Sequence, residues 1–138
     1  MFAHSKTETR EFFRVTWQKR GAGLVLAPLE ALVAEVVAAH PEYHVLIIEG
    51  SSAATPDQDP AHNPFLHLGL HVALLEQLQA DRPPGLRAEY QRLKTLTGEA
   101  HATEHRLMQV LAEVLWSAQS AGHLPDEQQY LASLRQLR

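Results

Sequence analysis

From Pro64 to Leu75 the chain reads PFLHLGLHVALL, a run without a single charge and apolar on every side when wound as a helix. Such a helix has no face to offer to water, so it has to be buried. Its only polar side chains are His67 and His71, four positions apart, which places them on one face with Cβ atoms about 5–6 Å from each other. Imidazoles in that setting need partners, because an unsatisfied buried polar group costs about 1–3 kcal/mol.

The same spacing recurs. The chain holds nine histidines, and six of them pair as His40/His44, His67/His71 and His101/His105. Random placement yields about 0.6 pairs at this helical adjacency, so the excess asks for a cause. On a helix over Glu99 to Ala121, the residues Glu99, Arg106, Glu113 and Ser117 form a polar stripe. His101, Glu104 and Met108 fall opposite it, with His105 at the shoulder. A carboxylate on an apolar face is seldom left unpaired, and a metal ion would satisfy it together with the two imidazoles. Pro41 weakens the first pair, since a residue before proline is pushed out of helical geometry. His40 is thus expected at a helix boundary and His44 one turn inside. His62 reads as a solvent-exposed loop residue, with capping the loop or leaning over the site as alternatives, and His4 and His123 as surface residues. Trp17, Trp116 and Phe65 read as core.

Proline and glycine divide the rest. Helical segments are expected at about Thr7–Arg20, Pro28–Ala39, Asn63–Ala80, Leu86–Thr97, Glu99–Ala121, and from Pro125 to the C-terminus. Glu42–Glu49 is either a kinked continuation of the second or a fresh short helix, and residues 50–62 a polar loop. Val45 to Ile48 is the only β-branched cluster, and it lies within a helical pattern. The fold class is all-α, a single-domain helical bundle of about six helices, over 1–138.

Composition narrows the function. The 138 residues are 45% hydrophobic, enough for one core. The net charge is −4 and no Lys/Arg cluster occurs, which argues against a nucleic-acid partner. No apolar run approaches the ~18 residues of a membrane span, and the polar N-terminus does not read as a signal peptide. A cytoplasmic protein is expected, and a homodimer is left open. There is no cysteine. Disulfides and thiolate sites are thereby excluded, leaving His, Asp and Glu as strong ligands.

Over almost its whole length the chain resembles a bacterial family of small proteins, domain-of-unknown-function family 1841. The resemblance is carried by Glu11-Phe12-Phe13 with Trp17, by Pro28-Leu29-Glu30, and by His40-Pro41-Glu42-Tyr43-His44. It continues through Asn63-Pro64-Phe65-Leu66-His67 with His71, Asp81-Arg82-Pro83 with Gly85, and His101 with Glu104-His105. Leu115-Trp116 with Gln119, then Pro125-Asp126 with Tyr130-Leu131, complete it. The family name implies no activity. In ligand logic the pattern also looks like the hemerythrin-like and DinB-like metal bundles, although the spacings reproduce neither motif set. That likeness is analogy alone. His101-Ala-Thr-Glu104-His105 also spells a zinc-protease string that nothing else in the chain supports.

The expected function is that of a metal-binding helical protein with a mono- or di-metal site between the Asn63–Ala80 and Glu99–Ala121 helices, closed by the His40–His44 corner. Its ligands are drawn from His40, His44, His67, His71, His101, Glu104 and His105. These exceed the four of one tetrahedral site, so either two metals bind or some histidines orient the others. A divalent transition metal, Fe, Zn or Mn, fits donors of this type. An open position would support non-haem oxygen or redox chemistry, or metal-assisted hydrolysis. The alternative is a non-catalytic interaction or regulatory module with hydrogen-bonded buried histidines. Bis-histidine haem ligation is a third option and needs a larger flat pocket.

Overall fold

The computed structural model describes residues 6–49 and 63–138. His4, His62 and the loop expected over 50–62 lie outside the described residues. Among the described residues the chain is all-α, with no strand. Its helices are α1 (Lys6–Gly21), α2 (Pro28–Ala38), α3 (His44–Glu49), α4 (Pro64–Ala80), α5 (Leu86–Thr97), α6 (Ala100–Ala121) and α7 (Glu127–Arg135), with a 3-10 turn at Pro41–Tyr43. The chain divides into two compact units between Val72 and Ala73, inside α4.

In the first unit α1 packs on α2 and α3. The apolar face of α2 (Leu32, Val33, Val36, Val37) is buried, as are Phe13, Ile47, Phe65 and Leu68. The Phe13 and Phe65 rings meet at 6.2 Å. Pro28 opens α2, where its missing N–H is no loss. Glu30 bends back to accept the Ala27 N–H at 2.9 Å and pairs with Lys19 at 2.7 Å. One carboxylate thus caps α2 and ties it to the end of α1.

In the second unit α5, α6 and α7 pack on one another around Leu86, Leu93, Leu107 and Leu134, all fully buried. Gly98 (φ 80°) and Gly122 (φ 74°) end α5 and α6 in left-handed conformations that favour glycine. Asp126 caps α7 by accepting the Gln128 and Gln129 N–H groups. Arg92 of α5 donates to the Leu134 and Leu137 carbonyls at 2.9 and 3.0 Å, satisfying the far end of that helix.

The expected helix boundaries hold to within a residue or so, except that α7 stops at Arg135. Glu42–Glu49 resolves into a 3-10 turn followed by a separate short helix. The core assignment of Trp116 is corrected: the indole is 61% exposed. On α6 the buried stripe runs through Leu107, Leu111, Val114 and Ala118. Position 116 lies about 200° around the helix from 114, beside the polar stripe. No single described helix is long and apolar enough to cross a membrane. Pro28–Ala38 and Pro41–Glu49, apolar enough together, are bent by 94° at their break.

Candidate metal centre

The first group of donors begins where α2 stops. A helix leaves its last carbonyls without intrahelical partners, and Pro41 forbids a simple continuation. His40 takes a non-helical backbone (φ −125°, ψ 65°), and its ring turns back so that Nδ1 donates to the Val36 carbonyl at 2.7 Å. A carbonyl can only accept, so Nδ1 carries the proton and the Nε2 lone pair points away. Metal-ligating histidines are oriented in this manner, their second ring nitrogen donating to a carbonyl. The ring is 1% exposed.

His67 and His71 come from α4. Asn63 caps that helix, its side-chain oxygen accepting the Leu66 N–H at 3.2 Å, and Pro64 occupies the first turn. His67 follows one turn later, half-buried, and His71 one turn beyond, 1% exposed. The His40 Nε2 and His67 Nε2 atoms lie 3.0 Å apart. Ring centroids are separated by 4.8 Å for His40 and His67, 5.1 Å for His40 and His71, and 6.2 Å for His67 and His71. The rings meet edge to face, at 74°, 86° and 78°. One nitrogen from each ring lies within 4.8 Å of the others. Two nitrogens bound at about 2.1 Å in a tetrahedral site stand about 3.4 Å apart, a few tenths of an ångström more than the 3.0 Å found between His40 and His67.

His44 takes another course. Its Nε2 donates to the Val37 carbonyl at 2.7 Å and its ring packs at a 40° tilt against Trp17, centroids 4.6 Å apart. The Arg20 guanidinium lies over the Trp17 ring, 5.2 Å from its centre. As Pro41 implied, His40 sits at a helix boundary, and the 3-10 turn sends its ring and that of His44 in different directions. His40 faces α4 and His44 faces α1, while both cap α2. His44 belongs to no metal-sized cluster among the described residues.

The second group sits on α6 in the other unit. Glu99 precedes the helix and accepts the His101 and Ala102 N–H groups at 2.9 and 2.5 Å. These backbone donors hold its carboxyl below the ordinary carboxylate range, with the His101 and His105 side chains adding to the effect. The His101 and His105 rings touch with centroids 4.1 Å apart, tilted by 58°. Glu104, half-buried between them in sequence, accepts the Tyr90 hydroxyl of α5 at 3.3 Å. Burial, and then the nearby Glu104 charge, push the Tyr90 hydroxyl up from its ordinary value, so it remains a donor.

Two neighbours escaped the reading of the sequence. Tyr43 stacks on His40, and its place within the His40–His44 string was the available signal. Tyr90 had none, because its role depends on how α5 packs on α6.

Chemically, the first group offers three imidazoles, a set suited to Zn, Fe, Cu or Ni, and the second group offers two imidazoles and a carboxylate. A family model described as "Domain of unknown function (DUF1841)" matches residues 5–136. No curated protein and no solved structure matches the chain.

Proposed function

The chain belongs to that family, and from the residues it carries we propose that it is a metal-binding helical protein whose principal ligands are His40, His67 and His71. The observation that carries this reading is the His40 ring, buried, oriented by the Val36 carbonyl, and presenting its lone pair 3.0 Å from His67 Nε2. His101, Glu104 and His105 form a second donor group on α6 that brings negative charge. His44 lies outside this set, holding the Val37 carbonyl at the end of α2. The cofactor is a divalent transition metal, Fe, Zn or Mn. A coordination position left to solvent would supply non-haem oxygen chemistry or an activated water. The chain's own residues hold the ion and exclude bulk water around it.

The experiment is elemental analysis of full-length protein purified without a histidine tag, beside the H67A/H101A double variant. Near-stoichiometric metal in the first and none in the folded second supports the reading. Folded wild-type protein that takes up no Fe, Zn or Mn when reconstituted with each in turn rejects it.

A second reading draws on the same 3.0 Å contact. With His40 Nε2 as acceptor, a proton on His67 Nε2 makes it a hydrogen bond, and the histidines become the polar core of a non-catalytic interaction module. Metal-free protein that melts at an unchanged temperature with and without divalent ions favours this alternative.

A further inference from the structure

The His40–Tyr43 segment forms a 3-10 turn, with the Tyr43 N–H donating to the His40 carbonyl at 3.0 Å. In that geometry side chains three apart eclipse, whereas in an α-helix the neighbour four apart is equally close. The turn thus gives His40 the companion Tyr43 in place of His44. Their rings are parallel to within 4° with centroids 5.6 Å apart, an offset stack. The same phenol ring meets His67 edge to face at 5.9 Å and 70°. One side chain therefore touches two of the three imidazoles, and it reaches them from the 3-10 turn that follows His40.

We infer that Tyr43 is a positioning residue of the imidazole triad, fixing the planes of His40 and His67 so that their nitrogens converge on an ion. The inference rests on the metal-binding reading above. A single hydrogen bond from Nδ1 to Val36 leaves the His40 ring able to swing about the N–H···O line, which would carry Nε2 out of register. A flat ring against its face blocks that motion.

The test uses the full chain with Y43F, which keeps the ring, and Y43L, which removes it at similar volume. Zn2+ affinity and the visible spectrum of bound Co2+ are the readouts. Supporting neighbours of metal ligands are typically worth about 10–100-fold in affinity. Y43F is expected to bind Zn2+ within about twofold of wild type with the same Co2+ bands, and Y43L about tenfold or more weakly, with shifted bands. A Y43L protein that matches wild type in both overturns the inference. In metal-free protein, ring-current shifts of the His40 ring protons in wild type and Y43F provide a second measurement, decisive also where Y43L does not fold. Their absence rejects the stack. Should wild type bind neither Zn2+ nor Co2+, the metal-binding reading fails, and the positioning role falls with it even where the ring-current shifts stand.

Discussion

The Nε2 atoms of His40 and His67 lie 3.0 Å apart across 27 positions of sequence. His40 reaches that place because a proline ends helical geometry beside it and the end of α2 captures its Nδ1–H. The helix terminus and the candidate centre are thereby one structure, since the bond that satisfies the Val36 carbonyl also aims the lone pair.

Truncating His40 should therefore register twice. H40A removes a buried ring and its hydrogen bond, and is expected to destabilise metal-free protein by about 2–4 kcal/mol in urea titrations. Zn2+ affinity should fall by more than the roughly tenfold typical of an orienting residue. Unchanged affinity would remove His40 from the ligand set.

His44 is expected to behave differently. H44A loses the Val37 hydrogen bond and the tilted ring contact with Trp17, worth about 1–2 kcal/mol together. Its metal affinity should stay closer to wild type than that of H40A. The opposite ranking in parallel titrations would restore His44 as a principal ligand.

Metal loading should raise the melting temperature. An ion at 100 times its dissociation constant stabilises the native state by about 2.7 kcal/mol, or about 5–10 °C for a chain of this size. Calorimetry with and without chelator measures it. Because protons compete for the imidazole nitrogens, the increment should shrink on acidification. Identical midpoints at every pH would argue for the hydrogen-bonded alternative.

Glu99 makes a separate pH prediction. Its folded carboxyl lies below the ordinary range because it accepts the Ala102 and His101 N–H groups. A lowered folded value means that its contribution is fully present above the unfolded value, about 4, and is lost as pH falls through the lower folded one. E99Q should accordingly melt below wild type at pH 7, and the two curves should meet in acid. A gap that persists unchanged at pH 2–3 would show that charge at this cap contributes nothing.

Much of the helical layout was legible from local chemistry. Pro28 and Pro64 open helices, while Gly98 and Gly122 close them, each through a backbone preference that operates within a turn. The burial of α4 followed from its lack of any polar stripe, and His71 is 1% exposed as that implies. Trp116 was misplaced because size and apolarity do not say which side of α6 is covered. Pro41 already marked the His40/His44 pair as the exception, with His40 at a helix boundary, where the structure has it. Spacing four apart signals a shared face only in an α-helix, and the residues after Pro41 wind as a 3-10 turn.

Sequence alone determined that this chain is helical, where most helices start and stop, and that imidazole and carboxylate are its only strong donors. Which histidines meet was decided by tertiary structure, as was the arrival of Tyr43 and Tyr90 beside them. The reason is range. Capping, turn and periodicity preferences act over a few residues of backbone, whereas the approach of His40 to His67 depends on how a bent α2 end lies against α4, and only packing sets that.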